Sequence, residues 1–579
     1  MSAPAGSRSI ARRAEPAGTC LDPGLHPVLD RVYRSRGVTD TSELELSLSA
    51  LAPAARLAGI DAAVDLLVAA RASQKQVLVV GDFDADGATA TALALLGLRA
   101  MGLARVGYLV PDRFRFGYGL TPEIVAVAAE RSPDLLITVD NGISSVDGVD
   151  EARGRGMQVL ITDHHLPGER LPAASAIVNP NQPGCDFPSK SLAGVGVMFY
   201  LLAALRARLR EAGGFADGGG PNVAQWLDLV ALGTVADVVP LDHNNRILVE
   251  QGLRRIRAGR CRPGIAALLR VGRREPRRCV ASDLAFAAGP RLNAAGRLED
   301  MSEGIECLLA DDPDTCAARA ARLDGLNRER REIESGMQAD ALAIVESLAP
   351  DPAALPYGLC LFEEHWHQGV VGIVAARVRE RVHRPVIAFA REDEHTLKGS
   401  ARSIPGLHVR DALDAVAARH PGLLIRFGGH AMAAGLSLAS DDLERFRDAF
   451  DRVLRRTLSE RDLEDRLLTD GELPPSELGL ELAHRLRAAG PWGQAFPEPL
   501  FDGEFQVLTR RVVGEHHLRM TLRAPGDRGS IAAIAFNASD DGWPAEAPRI
   551  HAAYRLDVNL YRDVESAQLV VEWMEVVGS

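Results

Sequence analysis

Apolar positions along this chain change period several times, and each change marks an element. Val77, Leu78, Val79 and Val80 form a β-branched run of the kind that suits a strand buried on both faces. Gly81 ends the run, and residues 88–102, ATATALALLGLRAMG, are rich in good helix formers. The plan then repeats. RVGYLVPDRFRFGYGL (105–120) predicts a strand and a loop, and TPEIVAVAAERS (121–132) a helix opened by a Thr cap with Pro in its first turn. DLLITVDNGIS predicts another buried strand, and GVDEARGRGMQVLITDHHLPG a helix followed by a strand. Strands and helices alternating at this length imply a parallel sheet with right-handed crossovers. Upstream, 21–72 reads as helical through HPVLDRVYRSRG and LAGIDAAVDLLVAARAS.

Beyond the repeats the pattern shifts twice. Residues 304–348 are alanine- and charge-rich with mixed-sign pairs at helical spacing, which predicts one long connecting helix. Apolar heptads are not sustained there, so a linker fits better than a coiled coil. APDPAALP (349–356) closes it. YGLCLF and PVIAFA, with helical segments around them, predict a second α/β lobe over 357–455. After about residue 460, LLTDGEL, PLFDGEFQVLTRRVVGEHHLRMTLRAP, GSIAAIAFN, HAAYRLDVNLYR and AQLVVEWMEVV alternate with period two and predict a small β-barrel, an OB-fold in form. The fold class is therefore α/β: a parallel-sheet lobe, a long linking helix, a smaller α/β lobe and a C-terminal barrel. The corresponding boundaries are 1–55 (tail and helices), 56–303, 304–348, 349–457 and 458–579.

Composition adds little to this picture but excludes some classes. The 579 residues allow three or four domains, and 46% hydrophobic with 25% charged residues is ordinary for a soluble globular chain. No segment predicts a bilayer span, and the N-terminus, which reads as a flexible tail, has no signal-peptide core. Seven dispersed cysteines without a CxxC pair suit a reducing cytoplasm better than a disulfide framework or a thiolate zinc site. A net charge of −12 argues against binding nucleic acid by bulk electrostatics while leaving room for a locally basic groove.

The candidate chemistry sits at the strand ends. Asp82, Asp84 and Asp86 follow the first strand, Asp140 the third, and Asp163, His164 and His165 the fourth. In a parallel sheet those ends share one edge, where ligands bind. Asp237 in WLDLVALGTVADVVPL follows an apolar helical run and adds a further carboxylate. Each cluster alone is compatible with a turn or a cap. Together, so many carboxylates repel one another unless a hard cation sits among them. Carboxylates with one or two imidazoles suit Mn²⁺ or Mg²⁺.

DFDADG, VDNG, TDHH and VADVVPL resemble motifs I to IV of the DHH phosphoesterases. With GPRLNAAGRL (289–298), WHQGVVGIVAAR, GSARS and GGHAMAAG, the chain is similar to the RecJ branch of that superfamily from about residue 50 onwards. The resemblance implies a DHH lobe, a DHH-associated lobe facing it across the substrate cleft, and an OB domain. It implies a single-strand-specific 5′-to-3′ exonuclease of DNA recombination and repair that uses two metal ions. Asp140 would bridge the ions, Asp84 with Asp82 or Asp86 would serve one, and His164 with Asp237 the other. His165 would meet the scissile phosphate and Asp163 would orient the pair. Arg113, Arg297 and Arg402 with Ser400 would grip the 5′ end. Arg291 and Asn293 would line the same groove, Tyr118 would stack a base or pack, and His430 lies in the Gly-rich loop of the second lobe. The barrel's Arg510, Arg511, His516, His517, Arg519, Tyr554, Tyr561 and Arg562 would suit a single-strand platform. The implied partner is single-stranded DNA with a 5′ end, alongside a helicase or single-strand-binding protein. An enzyme of the same superfamily for short oligonucleotides or cyclic dinucleotides is the alternative, which the barrel disfavours; a metal-free scaffold would show substitutions in motifs I to IV, and none is present.

Overall fold

A computed structural model describes all residues except 1–7, 15–17, 113–115, 117, 217, 349–354, 515, 539–546 and 578–579. The chain forms two compact units, one of Glu15–Asn327 with Glu481–Pro499, the other of Met1–Ala14 with Arg328–Leu480 and Leu500–Ser579.

The first unit is built on five parallel strands in the order Val106–Leu109, Val77–Gly81, Leu135–Val139, Gln158–Thr162, Ala176–Val178. In chain order this is 2-1-3-4-5, so the sheet reverses direction between Val77–Gly81 and Leu135–Val139, the switch point at which open α/β sheets hold ligands. The register pairs Gly81 with Val139, Val139 with Thr162, and Thr162 with Val178. The strand ends are therefore level, and Asp82, Asp140, Asp163 and Asn179 all follow them on one edge. Val77–Gly81 and Leu135–Val139 are buried along their whole length, as their unbroken apolar runs require. Helix Ala85–Ala100 is buried almost throughout, which explains its Ala-Leu composition without a polar stripe. Thr121 accepts from the Ile124 amide and caps helix Pro122–Ala129, with Pro122 in the first turn.

The expected single helix over 304–348 is two helices, Ser302–Leu309 and Pro313–Leu348. Pro313 disfavours helical backbone at Asp312, and the Asp312 carboxylate instead accepts from the Thr315 amide at 2.8 Å and starts the second helix.

Two segments fall outside the expected boundaries. Residues 481–499, read as part of the barrel domain, belong to the first unit. There Trp492 and Phe496 stack on Tyr33 at 5.9 and 6.2 Å, and the Arg246 guanidinium lies 4.2 Å from the Phe496 ring centroid. The Leu241 amide donates to the Gln494 carbonyl, so this segment also fixes the loop that follows Asp237. Ser9–Arg12, read as tail, is a strand paired in parallel with Arg466–Thr469 in the second unit. Arg12 donates to the buried Asp502 carboxylate at 2.8 Å, which tethers that strand to the barrel.

The second unit holds a mixed sheet ordered Arg426–Gly429, Ala433–Ala439, Thr396–Arg402, Val386–Arg391, Leu359–Phe362, with helices Val371–Val382, Val409–Arg419 and Leu443–Thr457. Five further strands, Phe501–Val513, His517–Arg523, Ile531–Ala535, Val564–Val576 and Arg549–Tyr561, close a barrel. Tyr554 is buried in the barrel core beside Phe501 and Phe505 and is not a surface platform. Arg510, Arg511, His516, Arg519, Tyr561 and Arg562 are exposed, while His517 is half-buried against Phe536.

Phe496 is buried against Tyr33, Trp492 and Arg246. Phe496→Ala is expected to cost about 3–5 kcal/mol of unfolding free energy, measured by urea denaturation. A loss under about 1 kcal/mol would mean that the 481–499 segment does not contribute to the first unit's stability.

Candidate metal centre

The level strand ends deliver three acidic turns to one place. After Val77–Gly81, the backbone turns so that Asp84 caps helix Ala85–Ala100 through Gly87, at 2.9 Å, and keeps its second oxygen for another role. Asp82 is buried and accepts from the Phe83 amide. Asp86 is fully buried, and its two oxygens take the Gly194 and Val195 amides at 2.6 and 3.0 Å, the first turn of helix Gly194–Glu211.

Asp140 follows Leu135–Val139 in the left-handed region, φ +63°, and its amide donates to the Thr162 carbonyl. Its neighbour Asn141 donates to the Val80 and Val139 carbonyls at 3.2 and 2.9 Å. That side chain staples the two strands on either side of the switch point. Gly194 lies against Asp140, where an added Cβ would come within 2.7 Å of the Asp140 Cβ. Only glycine leaves room for this approach.

In the third turn, Asp163 is fully buried and accepts from the Ile143, His164 and His165 amides and from His165 Nδ1 at 2.7 Å. Burial works to raise its pKa, but the His165 hydrogen bond and the charges of both histidines bring it below the ordinary carboxylate range. Conversely, burial works to lower the His165 pKa, and the Asp163 hydrogen bond and charge raise it to about 9. His165 is therefore a cationic donor at neutral pH. Asn179 and Asn181 hold the His165 and His164 carbonyls at 2.9 and 2.6 Å. These asparagines, Asn141 and Gly194 escaped the sequence reading; the available signal was the Asn-Pro-Asn run directly after strand Ala176–Val178.

His164 Nε2 lies 3.0 Å from Asp140 Oδ1, 3.5 Å from Asp237 Oδ2 and 4.0 Å from Asp86 Oδ2. Three sets of side chains have atoms close enough to hold a metal ion: Asp82, Asp84, Asp140; Asp86, His164, Asp237; and Asp140, His164, His165. Asp140 thus belongs both to the motif I pair and to the histidine side. Asp86 groups with His164 and Asp237, and Asp82 rather than Asp86 accompanies Asp84. Burial, then the charges of Asp237 and Asp84, push Asp86 up to about 7; burial and Asp84 push Asp237 to about 7. Asp140 is raised well above its usual range by burial and by Asp86. Burial and the charge of His165 lower His164. Asp140 Oδ1, Asp237 Oδ2 and His164 Nε2 are all buried without a hydrogen-bond partner. A divalent cation satisfies such a set of inward-facing oxygens and an imidazole nitrogen, and the donors are those Mn²⁺ and Mg²⁺ prefer.

The remaining candidates divide. Tyr118 is half-exposed; its hydroxyl donates to the Asp140 carbonyl at 3.2 Å and lies 3.1 Å from His165 Nδ1. Asn293 accepts from the Ala85 amide at 2.8 Å and so supports the motif I turn. Its helix, Gly289–Leu298, lies flush on that turn, because Gly296 sits where a Cβ would be 1.8 Å from the Phe83 carbonyl oxygen. Arg297 is half-buried one turn further on. Arg291 does not line a groove: it is buried, paired with Asp324 at 2.7 Å and bonded to the Ala287 and Val271 carbonyls. In the second unit, Arg402 donates to Ser400 Oγ at 2.9 Å, and both side chains close over Gly372. Burial, then Arg379, lowers the Arg402 pKa. His430 is exposed beside Gly429, which has φ +140°. Arg113 lies outside the described residues.

Three stretches match known domains: 76–234 the DHH family, N-terminal domain, 355–456 the DHHA1 domain, and 469–573 the RecJ OB domain. The single-stranded-DNA-specific exonuclease RecJ of Dickeya dadantii is 56% identical over 97% of this chain and 98% of its own length. The protein of that name from Escherichia coli is 52% identical over 97% and 98%. The crystal structure of RecJ in complex with Mn²⁺ from Thermus thermophilus matches with a TM-score of 0.78 at 30% identity, over 96% of this chain and 76% of that one.

Two outcomes follow from this geometry. Asp163→Asn removes the charge that holds His165 near 9, so the alkaline limb of the pH–rate profile should move down toward 6.5. Activity at about pH 8 should fall about 10–100-fold. An unmoved limb would separate Asp163 from the protonation of His165. Gly194→Ala should weaken Mn²⁺ binding, read by isothermal titration calorimetry, with the far-UV circular dichroism retained; unchanged affinity would show that the close approach to Asp140 is dispensable.

Proposed function

Because this chain belongs to the RecJ family of single-stranded-DNA-specific exonucleases, we propose that its strand-end centre removes nucleotides from the 5′ end of a single strand with two Mn²⁺ or Mg²⁺ ions. The chain is a metal-dependent hydrolase of single-stranded DNA. The observation that carries the residue assignment is the sharing of Asp140 between two potential ligand sets. In this reading Asp82, Asp84 and Asp140 would hold one ion and Asp86, His164 and Asp237 the other, and Asp140, 3.0 Å from His164 Nε2 and grouped with His164 and His165 as well, would reach both. When bound, the ion pair supplies an activated water and neutralises charge on the leaving oxygen.

The chain's own residues do the rest. Asp163 keeps His165 protonated and oriented, so His165 can donate to an oxygen of the scissile phosphate. Tyr118 holds His165 in place through its hydroxyl and offers an exposed ring edge to a base. Asn293 fixes the start of the helix that carries Asp86. Arg402 with Ser400 is the candidate receiver of the terminal phosphate that sets 5′-to-3′ polarity, since a guanidinium beside a hydroxyl suits that group. Arg297 and Arg113 are separate candidates for a phosphate contact. His430 is a further substrate contact in this reading. A helicase or single-strand-binding protein would present the strand, since a duplex must be opened before such an enzyme can act on it. A cytoplasmic location accords with seven cysteines that are all free.

The test is degradation of a 3′-labelled single strand in Mn²⁺, Mg²⁺ and EDTA, beside a blunt duplex and a dinucleotide. A ladder shortening from the 5′ end, confined to the single strand and lost in EDTA, is expected. Cleavage of the dinucleotide alone would overturn the reading. Asp140→Ala should lower the rate about 100-fold or more, beyond what loss of a residue that only orients a ligand costs; a near-normal rate would remove Asp140 from its shared position.

A further inference from the structure

The chain carries a net charge of −12, yet residues 254–278 hold ten arginines against one acidic residue, Glu275. None of the ten belongs to the centre described above. They lie on the end of helix His243–Arg257, on helix Pro263–Val271, and in the turns that follow each. Some have structural work. Arg262 binds the Leu308 and Leu309 carbonyls, Arg257 the Cys279 carbonyl, and Arg274 pairs with Asp283. Arg260, Arg270, Arg273 and Arg277 are different: all four are exposed, and none forms an ion pair among the described residues. Four exposed guanidinium groups without an acidic partner, within eighteen residues of an acidic protein, make a locally basic surface suited to an anion.

Direct contacts connect this patch to the catalytic edge. The turn at Gly272 abuts Ala287, where an added Cβ would lie 2.8 Å from the Ala287 Cβ. Ala287 belongs to the π-helical turn Leu284–Ala288, whose Phe286 is 73% exposed, an unusual position for so large an apolar ring. Arg291 ties the same turn to the patch by bonding both the Ala287 and the Val271 carbonyls. Gly289, next in the chain, sits against Ala236, the residue before Asp237, with an added Cβ 3.1 Å from the Ala236 Cβ. A path of packed residues thus runs from Ala236, beside Asp237, through Gly289 and Ala287 to Gly272 among the arginines, with the exposed Phe286 next to Ala287.

Exposed guanidinium groups with an exposed aromatic ring on the adjoining turn suit a phosphodiester backbone with unstacked bases. We propose that Arg260, Arg270, Arg273, Arg277 and Phe286 form a second strand-binding surface, which holds the part of a long single strand that lies outside the active centre. It rests on the exonuclease reading and adds an anchor that short oligonucleotides do not reach. Turnover of long strands then depends on the patch, and hydrolysis of short ones does not.

The test compares wild type with R260Q/R270Q/R273Q/R277Q. Binding to a long single strand, followed by fluorescence anisotropy in EDTA across a salt series, should weaken, and the slope of log Kd against log salt should fall by up to about 3. The rate on an oligonucleotide of a few nucleotides should remain that of wild type, and the corresponding quadruple lysine variant should recover the long-strand slope. F286A should lower long-strand affinity while leaving the salt slope in place, because stacking releases no counterions. An unchanged long-strand slope in the quadruple glutamine variant overturns the proposal. So does an equal loss on short and long strands that lysine does not restore. Lost binding of a polyglutamate peptide with DNA binding intact would assign the surface to an acidic protein instead. A wild-type enzyme that binds long strands with the expected slope but hydrolyses none would count against the exonuclease reading and leave the surface standing.

Discussion

The architecture of the first unit answers one electrostatic constraint, the confinement of carboxylates at the sheet's switch point. Ligand atoms of Asp82, Asp84 and Asp140 lie within 4.8 Å of one another, and so do those of Asp86, His164 and Asp237. At an effective dielectric of about 20, two unit charges at that separation repel by about 3 kcal/mol. Asp86 and Asp140, almost wholly buried, also lose hydration. Without a cation the cluster responds by taking up protons, which is the meaning of the raised pKa values of Asp86, Asp140 and Asp237. With divalent cations the same burial strengthens binding, because no water competes for the oxygens.

Such a cluster persists only if the surrounding backbone cannot relax away from it. The level register of Gly81, Val139 and Thr162 fixes the three turns side by side. Asn141 binds the carbonyls of both switch-point strands, and Asn293 holds the first amide of the helix that carries Asp86. Glycines complete the cage: a side chain at Gly233 would come within 2.8 Å of Asp86 Oδ1, as one at Gly194 would crowd Asp140. Asn293 and Gly194 come from helices that carry none of the ligands. Metal affinity is therefore a property of the packed sheet and not of the DFDADG turn alone.

That division explains what could be read from the sequence. Asp82, Asp84, Asp86, Asp140, Asp163, His164 and His165 were legible because each ends an apolar strand, and strand ends in a parallel sheet must share an edge. The barrel was legible from its period-two strands. Arg291 was misread because its role depends on Asp324 and on two carbonyls distant in sequence. Tyr554 was misread because alternation does not reveal which face of a closed barrel points inward. Ser9–Arg12 and residues 481–499 were invisible for the same reason: a short strand or aromatic loop is defined by the partner it pairs with, here Arg466–Thr469 and Tyr33.

Asp140 shows how far the fold goes to serve the site. A non-glycine residue at φ +63° carries a backbone penalty on the order of 1–3 kcal/mol, and nothing in the Val-Asp-Asn-Gly sequence forces it. An extended Asp140 would continue the strand and place its side chain on a face of the sheet. The left-handed turn instead swings the carboxylate across the switch point, where it reaches the motif I side and the histidine side at once. The amide bond to Thr162, the staple made by Asn141 and the space left by Gly194 together hold that conformation. Strain supported by so many neighbours marks Asp140 as the residue whose placement the surrounding elements are built to hold.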